Sequence, residues 1–291
     1  MKILVINNAS LNFEKFKKQN ELLFNSAKNL NIQLEIKNNI DLKFWYDGFG
    51  THIESLDCDA ILFYDKDITL ATLLEENGYK IFNSAECIKN CDNKALTYKI
   101  LAKNQLPIPK TYILPLLFYQ NDQNTLSFVQ KIEKELKYPF IAKKWFGSEG
   151  QQVFLINNKQ ECIDIINNQK QELLFQEYFS ECFGSDIRIN LVNNQIVASM
   201  HRFSQNDFRA NISNGGSAEK YEPTDLEKTL AIKASQALQC DFCGVDILQT
   251  KNGPVICEVN SNAHLNNIYM VTGTNVAEKI LLYIKQKIDE K

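Results

Sequence analysis

The sequence predicts a protein of mixed α/β and α+β class, in which a leading parallel sheet precedes an antiparallel ribbon. Strands and helices alternate through the first 82 residues, as is typical of a parallel sheet covered by helices. Residues 244–248 and 255–259 are predicted to be strands joined by a tight connection containing Asn252-Gly253-Pro254. A chain of 291 residues can hold two or three compact lobes, each with its own core.

Composition and charge are those of an ordinary globular protein. Hydrophobic residues make up 44% of the chain and charged residues 23%, and the net charge is -3. This charge gives no sign of a nucleic-acid or membrane partner. The apolar run at residues 1–6 is too short for a signal peptide, so we expect a cytoplasmic protein.

The eight cysteines are too sparse for a disulfide scaffold. Cys58, Cys162 and Cys257 lie in apolar segments and are expected to be small core residues. Cys240 and Cys243 have the two-residue spacing of half a zinc site, but no second half is apparent in the sequence. Neither zinc binding nor redox chemistry is therefore favoured.

The leading unit is predicted from four strands and two helices. The strands lie at 2–6, 33–37, 60–64 and 80–82, and the helices at 13–30 and 69–77. The turn after the first strand, Asn7-Asn8-Ala9-Ser10, has no glycine-rich phosphate-binding motif. We therefore expect no nucleotide site at this turn.

The middle of the chain begins with a helix predicted at 92–103, for which Asp92 is placed as the N-cap. It ends before Pro107-Ile108-Pro109, whose restricted backbone predicts a linker between lobes. Further helices are predicted at 125–136, 224–238 and 276–288, and the second of them begins with a capping box of Thr224 and Glu227. Further strands are predicted at 173–179 and 184–192, followed by a returning strand that runs through residue 199.

A strand predicted at 138–143 delivers Lys143 at its end, and Gly147-Ser148-Glu149-Gly150 precedes the next strand at 153–156. A lysine beside a glycine turn suits a hairpin that covers phosphate groups. Backbone N–H groups can approach anionic oxygens there without obstruction by side chains. An ordinary glycine turn is the alternative.

Three polar side chains interrupt the apolar strands of the ribbon. Glu258 and Asn260 are two residues apart on one strand, so they share a face. With simple antiparallel pairing, Asp246 lies on the same face only if the loop between the two strands has an odd number of residues. We therefore predict a three-residue loop at 251–253 in which Gly253 has a left-handed backbone. Two carboxylates and an amide oxygen suit a hard cation such as magnesium. The alternative is the solvated outer face of a two-stranded ribbon.

Several short motifs follow one another in a fixed order. They are Asp-Asn-Lys at 92–94, Lys143 before Gly-Ser-Glu-Gly, Gln-Glu-Tyr at 176–178, Asp-Ile-Arg at 186–188, Asp-Phe-Arg-Ala-Asn at 207–211, Gly-Gly-Ser-Ala at 215–218, Gly-Val-Asp-Ile-Leu at 244–248 and Glu-Val-Asn-Ser at 258–261. This order resembles the ATP-grasp superfamily and, within it, the RimK-like branch of L-glutamate ligases. The resemblance covers roughly residues 83–288.

The resemblance implies an ATP-grasp fold of three parts. These are an N-terminal α/β domain with a parallel sheet at 1–93, a central lid subdomain at 94–172 and a C-terminal antiparallel-sheet subdomain at 173–291. ATP would lie between the last two. Magnesium, or manganese, would accompany it, with Asp246, Glu258 and Asn260 as ligands.

The resemblance also implies roles for individual residues. The residues implied to bind the nucleotide are Lys94 and Lys143 at the phosphates, Gly147, Ser148 and Gly150 in the covering turn, Glu177 and Tyr178 at the adenine, and Asp186 at the ribose. Arg209 and Asn211 match the loop that reaches the transferred phosphate. Arg188 alternates with core residues and is interpreted as a polar wall of the site.

The implied activity is ATP-dependent ligation of a carboxylate to an amine through an acyl phosphate. Glutamate or another amino acid would be added to a peptide, a protein tail or a small molecule, by a homodimer or homotetramer. The alternatives are a D-alanine–D-alanine-type ligase and a nucleotide-binding module without turnover.

The chain departs from the family pattern in two places. Gln151 and Gln152 stand where another glycine is usual, and Asn262-Ala263-His264 replaces Ser-Pro-Gly. His264 is either a substrate contact or base, or an interface histidine.

Overall fold

The computed structural model describes residues 1–117, 122–169, 172–212 and 215–290. The first unit is a parallel sheet in the order β2-β1-β5-β6 with helices beside it. Its elements are β1 (Lys2–Asn7), α1 (Glu14–Asn29), β2 (Gln33–Asn38), β3 (Phe44–Asp47), β4 (Gly50–Ile53), β5 (Ala60–Tyr64), α2 (Ile68–Glu76) and β6 (Ile81–Phe82). The predicted parallel sheet is confirmed, whereas the hairpin of β3 and β4 was not predicted.

Two helices follow where one was predicted. They are α3 (Ala85–Asp92) and α4 (Lys94–Lys103). Asp92 ends α3, and the Asn93 side chain caps α4 by accepting from the N–H of Leu96 at 3.2 Å. The prediction of Asp92 as the cap was wrong, because two adjacent residues of cap-forming type compete and the break between the helices selects the second. Lys94 is therefore the first residue of α4.

The second unit is an antiparallel sheet in the order β7-β10-β8-β9. Its elements are β7 (Thr111–Ile113), α5 (Asp122–Ile132), β8 (Phe140–Lys144), β9 (Val153–Ile156), α6 (Lys159–Gln169) and β10 (Leu173–Gln176). Phe140 and Phe175 are fully buried and meet edge to face at 6.0 Å between ring centroids, in a core shared with α5 and α6.

The third unit is an antiparallel sheet in the order β13-β12-β11-β14-β15. Its elements are β11 (Ser185–Val192), β12 (Gln195–Phe203), β13 (Ser217–Lys220), α7 (Asp225–Ala237), β14 (Phe242–Thr250), β15 (Gly253–Asn260), α8 (Leu265–Thr272) and α9 (Val276–Asp289). The predicted capping box of Thr224 and Glu227 begins α7. Apolar residues of β11 and β14, such as Ile189 and Val245, pack against α7, which leaves the alternate residues for the opposite face.

The first sheet and the last helices share one hydrophobic core. Ile3 and Val5 of β1 belong to the same buried cluster as Leu265 of α8 and Ile280 and Ile284 of α9. The first unit is therefore packed against the third. No helix in the described parts of the chain is long and apolar enough to span a membrane.

Asn83 fastens the end of the first unit to the third sheet. Its buried amide nitrogen donates to the carbonyls of Phe242 (2.8 Å) and Ser261 (3.0 Å). Its oxygen accepts from the N–H groups of Asp241 (2.7 Å) and Phe242 (3.2 Å). One side chain thus holds the start of β14 and the residue after β15.

Replacing Asn83 with alanine should lower the free energy of unfolding by about 3 kcal/mol, because buried backbone groups lose their partners. Urea denaturation measures this change. Asn104→Ala is the control, since Asn104 is exposed and bonds the carbonyl of Ile100 at a helix end. Its loss should stay below about 1 kcal/mol. Equal losses in the two variants would contradict the role of Asn83.

Candidate active site

The polar side chains of the last two strands lie on one face of the sheet, as predicted. Asp246 of β14 pairs directly with Glu258 of β15, and Asn260 lies two residues farther along β15. Opposed residues and residues two apart share a face. The amide nitrogen of Asn260 lies 3.5 Å from the carboxylate of Asp246.

The connection that produces this register differs from the prediction. A three-residue loop at 251–253 was expected, but Thr250 pairs with Gly253, so the loop has two residues. A β-bulge next to Asp246, with Cys257 as its extra residue, restores the required register. The loop prediction was wrong because the residues of the turn give no information about a bulge farther along the strand. Gly253 has the predicted left-handed backbone, with φ of 111°.

Two arginines and two aspartates form a buried ion cluster on this face. Arg188 donates from Nε and Nη2 to the two carboxylate oxygens of Asp246. Arg202 binds Asp186 in the same forked manner, at 2.6 and 2.7 Å, and reaches Asp246 at 3.0 Å. Only 5% of the Asp246 side chain is exposed. The two positive and two negative charges of this cluster compensate one another while all four are present.

Gly244 makes room for Arg188. A Cβ atom at position 244 would lie 3.0 Å from Cδ of Arg188 and 2.9 Å from Cβ of Ala263. Both separations are shorter than ordinary van der Waals contacts. The missing side chain therefore leaves space over Gly244 for the side chain of Arg188, which is paired with Asp246 across β11 and β14.

The two predicted phosphate-binding lysines reach the site from different elements. Lys94 of α4 donates to the carbonyl of Gly147 at 2.8 Å and forms an ion pair with Glu258 at 3.1 Å. Lys143 of β8 is buried and donates to the hydroxyl of Tyr98 at 3.2 Å. Burial alone would raise the pKa of Glu258, but the charges of Lys94 and Lys143 outweigh burial and lower this pKa to about 2.

Acid should remove the stability that Glu258 contributes. Its pKa is about 2 in the folded protein and 4.5 for an unperturbed glutamate, so the contribution is present above pH 4.5 and lost as the pH falls towards 2. The full contribution is up to about 3 kcal/mol. Urea denaturation at two acidic pH values should show a smaller stability loss in Glu258→Gln than in the wild type. Glu21→Gln, on the exposed face of α1, should match the wild type. Identical pH dependence in all three proteins would refute the pairing.

Tyr98 was missed by the sequence analysis, although it connects several parts of the site. Its hydroxyl accepts from Lys143, donates to the carbonyl of the bulged Cys257 and lies 3.2 Å from Oε1 of Gln176. Burial raises its pKa to about 12, so the hydroxyl stays protonated. Tyr98 lies four residues after Lys94 on α4, and this i,i+4 spacing on one helix face was the available signal.

Arg202 was also missed. The three arginines of the chain are Arg188, Arg202 and Arg209, and all of them lie at this site. The signal available in the sequence was their confinement to residues 188–209 in a chain whose other cations are lysines. Arginine rather than lysine suits paired contacts with carboxylates or phosphates.

Arg209 links the loop after β12 to the glycine turn. Its Nε and Nη2 donate to Asp207, at 3.0 and 2.7 Å, and its Nη1 donates to the carbonyl of Gly150 at 2.6 Å. Gly150 has a left-handed backbone with φ of 72°. The loop after β12 and the glycine turn are therefore in direct contact.

A cleft of about 940 Å³, its open mouth included, lies between the second and third sheets. The predicted site residues that line it are Lys94, Lys143, Gly147, Ser148, Gly150, Glu177, Tyr178, Asp186, Arg209, Asn211, Asp246 and Glu258. Arg188 and Asn260 contact Asp246 instead. At the far end, the backbone N–H of Glu177 is bonded to Lys110, and the ring of Tyr178 meets Phe208 edge to face.

The segment that departs from the family pattern contacts other units. Nε2 of His264 lies 3.1 Å from Oε1 of Glu149 in the glycine turn, and Lys15 of α1 contacts the same oxygen. Asn262 donates to the carbonyl of Asp65 at 2.9 Å. Burial lowers the pKa of His264, although its bond to Glu149 opposes the shift. Glu149 thus links the glycine turn to His264, in the segment after β15, and to Lys15 of α1.

Comparisons with known proteins agree with this architecture. A model of the RimK-like ATP-grasp domain matches residues 91–284. The RimK-domain ATP-grasp protein of Sphaerobacter thermophilus has a TM-score of 0.75 at 16% identity, covering 97% of this chain and 99% of that one. The D-alanine–D-alanine ligase of Bacillus anthracis complexed with ATP has a TM-score of 0.74 at 16% identity, covering 100% and 98%.

Two proteins related in sequence differ in how much of their length matches this chain. An uncharacterised protein of Mycoplasma pneumoniae is 34% identical over 288 residues, which is 96% of this chain and 98% of the relative. Human N-acetylaspartylglutamate synthase A is 36% identical over 202 residues, which is 68% of this chain and 50% of the synthase. The match thus spans half the length of the human enzyme.

The fold and the matched domain define an ATP-grasp ligase, a class that forms carbon–nitrogen bonds between carboxylates and amines. Within that class, the chain belongs to the RimK-like ATP-grasp family. The predicted fold and the stated resemblance are confirmed.

Proposed function

We propose that this protein adds glutamate or another amino acid to a carboxylate of a peptide, protein tail or small molecule, at the expense of ATP. The observation that carries the proposal is one cleft lined by Lys94, Lys143 and Arg209 opposite Asp246 and Glu258. Relatives named as probable α-L-glutamate ligases, such as the Pasteurella multocida protein at 32% identity, favour glutamate as the amine.

The donor set of Asp246, Glu258 and Asn260 fits magnesium or manganese, because all three offer oxygen atoms on one face of the sheet. Arg188 and Arg202 both bind Asp246, and Arg202 reaches Oδ2. Because a carboxylate oxygen can accept more than one bond, Oδ1, which is bound by Nε of Arg188, leaves capacity for an ion. When bound, the ion supplies positive charge to the phosphate chain. Lys94, now paired with Glu258, is well placed to turn to the phosphates.

The proposed reaction has two steps. A carboxylate oxygen attacks the γ-phosphorus of ATP, ADP leaves and an acyl phosphate forms. The amine then attacks the acyl carbon, phosphate leaves and the new amide nitrogen loses a proton to solvent. Lys143 and Arg209 stabilise the charge on the phosphoryl oxygens by position and electrostatics, so no protein nucleophile is required.

We assign the lid role to the unit at 94–172, whose glycine turn meets Arg209 through Gly150. This contact couples the position of the arginine to closure of the turn. Closure would exclude water, which would otherwise hydrolyse the acyl phosphate. A cytoplasmic location supplies the ATP that the reaction consumes.

The test is release of ADP by the purified protein with magnesium and ATP, L-glutamate and a panel of carboxylate acceptors, combined with mass spectrometry of the products. We expect ADP release that depends on both substrates and a product heavier by one glutamyl residue. ATP binding without ADP release across the panel would support the nucleotide-binding module instead. Turnover with D-alanine alone would support the D-alanine–D-alanine-type ligase.

A further inference from the structure

A cluster of buried thiols lies on the side of β14 away from the active site. Cys87 and Cys91 come from α3, and Cys240 precedes β14. The three sulfur atoms lie within 4.8 Å of one another, and all three side chains are buried. In the parts of the chain that the structure describes, this is the one group of potential metal ligands of this kind. It supplies the second half that the sequence analysis did not find.

We propose that Cys87, Cys91 and Cys240, with Cys243 as the fourth ligand, bind one zinc ion that ties α3 to the start of β14. Cys243 is buried in the same hydrophobic cluster. Both pairs have spacings found in zinc sites, with three residues between Cys87 and Cys91 and two between Cys240 and Cys243. The residues at i and i+4 of α3 also share one helix face.

The distances from the sulfur of Cys240 to those of Cys87 and Cys91 are close to the edge of a tetrahedral zinc site. With zinc–sulfur bonds of about 2.3 Å, the edge of the tetrahedron is about 3.8 Å. The sulfur of Cys240 lies 3.4 Å from that of Cys87 and 3.7 Å from that of Cys91. All of these cysteines are free thiols rather than disulfides. The ion would replace the thiol protons, which leave to solvent, so no oxidant is needed.

The N-terminal end of α3 favours a thiolate at Cys87. The N–H of Cys87 donates to Ser84 in the first turn of α3, where the helix end stabilises negative charge. Thiolates are soft ligands, so the site would select zinc over magnesium and differ from the oxygen site at Asp246.

The ion would act on the architecture of the active site. α3 ends directly before Asn93 and Lys94, whereas β14 carries Asp246. A bound zinc would therefore hold α3, which leads directly to Lys94, against β14, which carries Asp246.

Zinc content per chain, measured by elemental mass spectrometry after growth with added zinc, tests the proposal. We expect about one zinc per chain in the wild type and in the control Cys162→Ser. Cys162 is a buried cysteine in the core of the second unit. Cys87→Ser combined with Cys240→Ser should abolish binding. Removal of zinc by a chelator should lower the Tm of the wild type by about 5 °C or more.

Cobalt substitution in the wild type keeps the test valid if the double variant does not fold. The intense visible spectrum of tetrahedral cobalt bound to thiolates is expected on adding cobalt to the zinc-free protein. Wild-type protein without zinc and without this spectrum would overturn the proposal. So would full zinc content in the folded double variant, or a Cys87–Cys240 disulfide found by peptide mapping.

Discussion

Asp246→Asn should abolish ligation, with a loss of about 10³-fold or more in kcat, and should also destabilise the fold. The activity falls because a proposed metal ligand loses its charge. The stability falls by about 3 to 5 kcal/mol, because Arg188 and Arg202 keep their buried positive charges while one of their two partners is neutralised. ADP release and urea denaturation measure the two effects.

Asp241→Asn is the matched control, since Asp241 stands just before β14 and bonds the hydroxyl of Tyr283 instead of an arginine. Its activity should stay within about twofold of the wild type. Normal ligation by Asp246→Asn would contradict its place in the site. A stability loss no larger than that of the control would contradict the charge balance of the ion cluster.

Arg209→Lys should lower kcat by about 10²-fold to 10³-fold while the Tm stays close to that of the wild type. Lysine keeps the charge but cannot maintain the forked contact with Asp207 and the bond to Gly150 together. Lysine retains the charge and most of the aliphatic stem of this half-buried side chain, so the Tm should change little.

Steady-state kinetics with ADP release as the readout measures this change. Lys228→Arg, which alters a partly exposed cation paired with Glu222, is the control and should leave kcat unchanged. Unaltered turnover in Arg209→Lys would show that positive charge alone suffices at this position. A large fall in Tm would instead assign a structural role to Arg209.

The success of the sequence predictions depended on how local each signal was. The capping box at Thr224 is complete within four residues, and it begins α7 as predicted. The cap of α4 was predicted one residue too early, because Asp92 and Asn93 are both suitable caps. Asp246 lies on the predicted face of the sheet, but the predicted loop length was wrong. The bulge at Cys257 depends on pairing along the whole strand, so the turn residues alone do not reveal it.

The amino-acid sequence by itself determined the alternation of elements, the shared face of Glu258 and Asn260, and the motifs typical of the family. These follow from chain periodicity and from residue chemistry within a few positions. The tertiary structure alone decided the charge partners of Asp246, the contact of Tyr98 with Lys143, and the meeting of Cys87 with Cys240. Cys87 and Cys240 are 153 positions apart in the chain, and side chains from such distant positions meet only when packed sheets and helices bring them together.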